Sequence, residues 1–384
     1  MIESVRLHQV RSWADGNVGL TPGPHIFWGE NGAGKTTVLE ACIIAATGRS
    51  HRAGALREVI AGDGDQAAIT VVVRDQGADP ADPLAQSALG VEISRAGRAK
   101  HILNGAPRTT AALGERLRVA AFVPEETGLV VGAPAVRRGL LDRVASQWQR
   151  GYETTLTRYE RALRQRNRLL KDALEVDGAA RRAISSEMRP WTEMLITTGS
   201  EVVAGRLALL AALAPVLAST HNEVAPSEEA LETHYLSRER YLADESASEC
   251  ATRLAESFDQ TAETEGYQGY TLVGPHRDDI AFHVGGSDIA PTASRGQQRS
   301  LLLALLFAEI TLLTDEHGHP PVLLLDDAFS ELDPQRREHL VARIAALPQS
   351  IITATALDDL APGLVARATS REIKRGPGGS SVAT

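Results

Sequence analysis

"GENGAGKTT", residues 29–37, decides how the rest of the chain is read. It satisfies G-x-x-x-x-G-K-[ST], with Gly29, Gly34, Lys35 and Thr36 in register. Its flanks agree, because "HIFW" before it reads as a strand and 35–47 after it reads as a helix. The spacing serves anion binding. Glycines let successive backbone N–H groups converge on phosphate oxygens, and the helix N-terminus adds partial positive charge. The run Gly29, Glu30, Asn31, Gly32, Ala33, Gly34, Lys35, Thr36, Thr37 is therefore the expected nucleotide cradle. Lys35 is expected at the β/γ-phosphates and the Thr36 hydroxyl on Mg²⁺, so ATP and Mg²⁺ are the implied cofactors.

Such a loop needs a second metal anchor, and "PVLLLDDAFSELD" (321–333) supplies it. A buried apolar strand that delivers acid at its carboxyl end suits a parallel sheet. Asp326 is the expected Mg²⁺ partner, and Asp327 the group that orients or deprotonates a water attacking the γ-phosphate. Asp326 lies 291 residues after Lys35, too far for a compact transport-type ATPase. A third stretch, "TASRGQQRSL" (292–301), opens a helix with Ser294, Gly296 and Gln297. Small donors and close backbone approach at a helix N-terminus fit an anion. This Ser-x-Gly-Gln resembles the signature motif of ABC-type ATPases, in which such a segment binds the γ-phosphate held by the other subunit.

The chain between these motifs changes character. Strand patterns occupy 67–75 and 90–97, and "HILNGAPR" (101–108) carries an Asn-Gly hairpin signal. From about residue 135 to 265 the pattern is helical, with Leu156, Tyr159, Leu163, Leu170 and Leu174 forming an apolar stripe. A second helix is predicted over 191–218. Strands return near "YTLVG" and "IAFHV", and "KRGPGGSSVAT" reads as a disordered tail. The expected fold is α/β, a P-loop ABC-type ATPase head split in sequence by an inserted helical arm (lobe II). The expected domains are ATPase lobe I over 1–120, the helical arm over 121–268, the rest of lobe I over 269–372, and a tail over 373–384.

Composition bounds the remaining possibilities. Two cysteines exclude a disulfide framework, and no CxxC pair points to zinc. No signal peptide and no apolar run of about 18 residues is read, so a cytoplasmic protein without membrane contact is expected. The net charge of −9 is unevenly distributed. Residues 137–182 hold twelve Lys/Arg against six Asp/Glu, whereas 223–265 hold three arginines against twelve acids. A nucleic-acid partner therefore remains open. Arg158, Arg161, Arg164 and Arg168 are spaced to share one helix face, as a row of phosphate-binding guanidinium groups would. A solvated basic face is the alternative. Arg137 and Arg138 of "VRRG" and Arg52 of "SHR" are further candidates for DNA contact.

Read together, these motifs resemble the RecF family, whose heads are similar to those of SMC and Rad50 proteins. The resemblance rests on "GENGAGKTT", "GRSHR" (48–52), "FVPEE" with "GAPAVRRGLLD" (122–142), "RQRNRLLK" (164–171), "GPHRDD" (274–279), "SRGQQR" (294–299) and "LLLDDAFSELD". It implies an ATP-dependent DNA-binding protein of recombinational gap repair, replication maintenance and SOS induction. Such a protein forms an ATP-dependent homodimer on junctions of single- and double-stranded DNA, hydrolyses ATP slowly, and helps load recombinase with RecR and RecO. Some positions depart from the ABC pattern. The second Walker B acid is Asp327 rather than Glu, and Thr353 and Thr355 stand where a switch histidine is expected. "FVPEE" occupies the region of the Q-loop glutamine. "VRSW" replaces an Asn-Phe-Arg pattern, which places Arg11 at the nucleotide by expectation. The competing readings are an ABC transporter ATPase subunit and a non-hydrolysing SMC-like structural head.

Overall fold

The computed structural model describes residues 1–79, 82–226, 228–330, 332–376 and 378–383. Two compact units share the chain. The first comprises Met1–Thr127, Thr220–Ser227 and Ser294–Thr384, and the second Gly128–Ser219 and Glu228–Ala293. Residues 269–293, expected with the ATPase lobe, thus fold with the helical block. The physical reason is strand pairing, because Asp279–Val284 runs antiparallel to Leu231–Leu236.

In the first unit, two sheets enclose one helix. An antiparallel sheet runs in the order Trp13–Gly19, Ile2–Val10, Gln66–Arg74, Gln86–Ser94, Lys100–Leu103, Ala106–Arg108. Its last two strands turn at Asn104 and Gly105, at φ 52° and 80°, the conformation that Asn-Gly adopts readily. The other sheet is mainly parallel, in the order Gly379–Val382, Thr369–Gly376, Gly23–Trp28, Gln349–Ala354, Val322–Asp326, Val119–Phe122. The helix Lys35–Thr47 is buried on all sides from Thr37 to Ala46, as an apolar-all-round helix must be. Its core contains Val5, Leu7, Ile69 and Leu89 from the first sheet and Phe27, Leu324 and Ile351 from the second. Each such side chain stabilises the fold by about 1.5–3 kcal/mol relative to exposure. The helix axis is thereby fixed, and with it the loop at its N-terminus.

The expected tail is a hairpin instead. Thr369–Gly376 pairs in parallel with the strand Gly23–Trp28, and antiparallel with Gly379–Val382. Ile373 is buried at 1% exposure, and the Ser380 N–H donates to the Ser12 carbonyl at 2.7 Å. Gly- and Ser-rich composition signals disorder only when nothing is buried, and here one isoleucine and two ladders suffice. Pro377 and Thr384 lie outside the described residues.

The second unit is helical, with Pro134–Trp148, Tyr152–Asp172, most of Gly178–Val224, Ala247–Gln268 and a three-stranded sheet. The long helix begins earlier than the predicted 191–218. It also holds an 18-residue stretch of mean hydropathy 2.0, which the sequence reading did not credit; half of that stretch is buried within the protein. Val202, Val203, Leu209 and Leu217 show why, being core residues at 0 to 1% exposure. Buried arginines tie these helices together. Arg206, 2% exposed, donates to both Asp142 carboxylate oxygens at 2.9 Å and to the Pro275 carbonyl at 2.7 Å. Arg166 donates to Glu265 at 2.6 Å and stacks over Phe258.

Candidate nucleotide site and basic helix face

The strand Gly23–Trp28 ends at the glycine-rich loop, and the order of the parallel sheet determines what stands beside it. The next strand presents Thr353, and the strand after that presents Asp326, with Asp326 and Thr353 in register. The Thr36 hydroxyl donates to Asp326 Oδ1 at 2.8 Å, so two motifs 290 residues apart meet through one hydrogen bond. The Thr353 hydroxyl donates to the same oxygen at 2.6 Å and accepts the Asp327 backbone N–H at 3.0 Å. Asp327 has φ 50°, a strained left-handed conformation for a non-glycine residue. Thr353 thus holds one acid by its side chain and the other by its backbone.

Lys35 is 9% exposed, and its ammonium donates to the carbonyls of Gly29 at 2.6 Å and Glu30 at 2.9 Å. Burial lowers its pKa, opposed by Asp327 and Asp326. Burial likewise raises the pKa of Asp327, with Asp326 adding to the shift and Ser330 and Lys35 opposing it. The loop that carries these groups is tightly enclosed. Gly34 has φ 106°, and its carbonyl accepts the Trp13 indole N–H at 3.0 Å. A Cβ there would lie 2.6 Å from Ser380 Oγ, 2.7 Å from Trp13 Nε1 and 2.8 Å from Ser12 Oγ. Gly32, at φ 79°, faces open space.

Arg11, expected at the nucleotide, is engaged by the helix that follows the loop. Its guanidinium donates to Glu40 at 2.8 and 3.1 Å and to the Glu58 carbonyl at 3.1 Å. Glu40 lies in the helix that follows the loop and is fully buried. Burial alone would raise its pKa, yet hydrogen bonds from Arg11 and Ser50 hold it below the usual carboxylate value. Arg52 lies 3.7 Å from the same carboxylate, so the "GRSHR" segment is an anchor on Glu40. In that segment both ring nitrogens of His51 are buried with no hydrogen-bond partner among the described residues, and its Nε2 is 3.9 Å from Glu125 of "FVPEE". Burial lowers the His51 pKa, while Glu125, Glu40 and Asp326 oppose that.

Ser294 is exposed and caps the helix Arg295–His317. Its hydroxyl accepts the Gln297 N–H at 3.2 Å, and Gln297 Oε1 accepts the Ser294 N–H at 3.0 Å. This is a capping box. The described contacts of Ser294, Gly296 and Gln297 are local to that cap. A surface-facing serine at a helix N-terminus can still offer its hydroxyl and the Gly296 N–H to an approaching anion.

In the second unit, Arg158, Arg161, Arg164 and Arg168 are all exposed on the helix Tyr152–Asp172, while Leu156, Tyr159, Leu169 and Leu170 are buried. Arg164 is 3.9 Å from Glu160 and Arg168 is 3.8 Å from Asp172, both solvent-facing pairs of small worth. Two further candidates are engaged within the protein. Arg137 is 7% exposed and grips both Asp279 oxygens at 2.7 and 2.8 Å. Arg138 donates to the Asp278 carbonyl at 2.7 Å. Arg137 is structural, because a buried guanidinium needs a fixed acceptor, whereas Arg138 is only half-buried against its carbonyl. Arg277 and Asp278 of "GPHRDD" are not paired with each other. Arg277 donates to the Thr271 carbonyl, and Asp278 accepts the Tyr235 hydroxyl at 2.6 Å.

Sequence reasoning missed Glu40, His51 and the Trp13–Gly34 contact. The one available signal was a glutamate and an "SHR" set among apolar residues close to the glycine-rich loop.

Comparison with known proteins agrees with this geometry. Residues 1–361 match the RecF/RecN/SMC N terminal domain family. The DNA replication and repair protein RecF of Symbiobacterium thermophilum is 35% identical over 94% of this chain and 92% of its own. Two solved structures span the whole chain and 98% of theirs. One, the recombination mediator protein RecF-ATPrS in the RecFOR pathway, has a TM-score of 0.84 at 24% identity. The other, RecF-ATP in the same pathway, has a TM-score of 0.82 at 25% identity. With the fold, the joined Walker motifs and these relatives in agreement, the transporter reading falls, and the chain belongs to the RecF family of DNA replication and repair proteins, with the ABC-type ATPase head of the SMC group.

Proposed function

We propose that this chain binds ATP with Mg²⁺, dimerises through the bound nucleotide, and in that form holds DNA at junctions of single and double strand during recombinational gap repair and SOS induction. The observation that carries this reading is the Thr36–Asp326 hydrogen bond at 2.8 Å, flanked by Lys35 and Asp327. The two oxygens are hard donors, the class Mg²⁺ prefers, and they already sit within bonding distance of a common point. Thr36 and Asp326 would hold the metal, which when bound neutralises charge on phosphate oxygens. The backbone of 29–37 cradles phosphate, Lys35 adds a fixed cation, and Asp327 orients the attacking water.

Asp327 carries a shorter arm than the glutamate usual at this position, which supports slow turnover rather than a working motor. Ser294 is exposed at a positive helix end, with the Gly296 N–H beside it, where a second copy can bring a γ-phosphate. The exposed arginine row on the helix Tyr152–Asp172 supplies phosphate contacts on DNA. The pathway named for the solved relatives points to RecR and RecO as partners in recombinase loading.

Binding of gapped, blunt and single-stranded DNA, each with ATP and with ADP, tests the reading. ATP should tighten binding to gapped DNA by at least tenfold over ADP. Equal affinity with both nucleotides for every DNA would refute it. A steady-state ATPase rate that rises with DNA separates this reading from that of a non-hydrolysing head.

A further inference from the structure

Aromatic residues are scarce in this chain, at 4%. Among the described residues, the exposed large hydrophobic side chains include two aromatics, Tyr267 at 72% exposure and Tyr270 at 40%. They lie three residues apart around Gly269, the left-handed cap that ends the helix Ala247–Gln268. A Cβ on Gly269 would meet Leu174 Cδ1 at 2.6 Å and Lys171 Cγ at 3.8 Å. The tyrosines therefore flank the carboxyl end of the arginine helix. Leu174 is itself 49% exposed; the apolar stripe predicted for it ends with the helix at Asp172.

Cations surround this end. Arg277 is exposed and stacks over the Tyr270 ring at 5.1 Å. Arg181 donates to the Gly266 carbonyl, and Lys171 and Arg168 are exposed on the last turns of the arginine helix. Acids are present as well: Asp172 pairs with Arg168 and Glu265 is buried on Arg166, while Glu175, Asp177 and Glu263 are exposed close by in sequence. The segment is also rigid. Asn167 accepts both the N–H and the hydroxyl of Thr271 at 2.8 and 2.7 Å, and Arg277 donates to the Thr271 carbonyl at 3.0 Å.

Exposed tyrosine rings cost hydration unless something covers them. A duplex offers no free base faces, whereas an unpaired strand offers a π-face at every base. Phosphate-binding cations beside an aromatic platform are what a single strand requires. We infer that Tyr267 and Tyr270, with Arg277 and Lys171, form a stacking platform for single-stranded nucleic acid, continuous with the arginine row that holds the duplex backbone. The inference rests on the DNA-binding reading above and gives the single-strand side of the junction its own surface.

The test measures binding of a labelled 20-nucleotide oligo(dT) and of a blunt duplex to the full chain with ATP. Tyr267→Ala with Tyr270→Ala should weaken oligo(dT) binding about tenfold and change duplex binding less than twofold. Tyr267→Phe with Tyr270→Phe should bind both probes like the parent, because the ring faces remain. Arg158→Ala with Arg161→Ala should weaken the duplex at least as much as oligo(dT). Unchanged oligo(dT) affinity in the alanine variant overturns the platform, as does an equal loss on both probes or a failure of phenylalanine to restore binding. If the parent binds neither probe, the DNA-binding reading fails and the platform with it.

Discussion

Replacing Gly34 by Ala tests whether the glycine-rich loop is held by its surroundings as well as by its own backbone. At φ 106° an alanine sits outside the regions open to L-residues, at a cost of about 1–3 kcal/mol. Its methyl group would also fall within 2.8 Å of Ser380 Oγ, Trp13 Nε1 and Ser12 Oγ, and overpacking of this kind costs roughly 1–3 kcal/mol more. Pushing the Trp13 indole away to relieve that clash would break its bond to the residue 34 carbonyl, worth about 1 kcal/mol. The sum is about 3–7 kcal/mol, of which local relaxation recovers part. Gly32→Ala is the control. It meets the same kind of backbone penalty at φ 79°, but its Cβ points into open space, so about 1 kcal/mol is expected. Thermal unfolding should therefore fall by several degrees more in Gly34→Ala than in Gly32→Ala, at roughly 2–4 °C per kcal/mol. Nucleotide titration of the folded fraction should show at least a hundredfold loss for Gly34→Ala. Equal melting temperatures and equal affinities in the two variants would refute the enclosure.

Thr353→Val removes one hydroxyl that serves both Walker acids, leaving the Asp327 N–H unpaired at a cost of about 1–3 kcal/mol; ATPase turnover should fall more than nucleotide affinity, and unchanged turnover would exclude a positioning role. Arg158→Ala with Arg161→Ala should reduce the log–log salt slope of duplex binding by roughly 0.9 per lost phosphate contact, whereas Arg137→Ala should lower stability by about 3–5 kcal/mol through its stranded Asp279 partner. A salt slope equal to the parent's in the first variant would dismiss the arginine row. Burial raises the Asp278 carboxyl to about 7, so the folded protein holds a proton that the unfolded chain releases near 4. That contribution to stability is complete below pH 4 and lost as pH rises to 7. The stability of Asp278→Asn minus that of the parent should therefore increase across this window and level off above it; parallel curves would contradict it.

The candidate nucleotide-site elements were legible in the sequence because each is local. A glycine-rich loop, an apolar strand ending in Asp326 and Asp327, and a serine opening a helix all declare themselves over a dozen residues. Distance in sequence hid the rest. Thr353 was noted only as a departure from a histidine, since its bonds to Asp326 and Asp327 depend on strand order. Arg137 and Arg158 look alike on paper, yet Asp279, 142 residues away, buries the first, and among the described residues nothing comparable engages the second. The hairpin at the C-terminal end was misread because composition cannot show that Ser380 meets Ser12 and closes over Gly34.

Sedimentation velocity with ATP and with ADP tests the ATP-closed dimer most directly, applied to the parent, Asp327→Asn and Ser294→Arg. The parent should dimerise with ATP and remain monomeric with ADP, because ADP lacks the phosphate that Ser294 and Gly296 would engage. Asp327→Asn should hold the dimer longer, since hydrolysis slows while Thr36 and Asp326 are untouched. Ser294→Arg should stay monomeric with ATP while still binding one nucleotide per chain. Loss of its cap should cost only about 1 kcal/mol, so the variant remains folded. Dimerisation of Ser294→Arg with ATP as readily as the parent would contradict the claim and leave 294–299 as a helix cap alone.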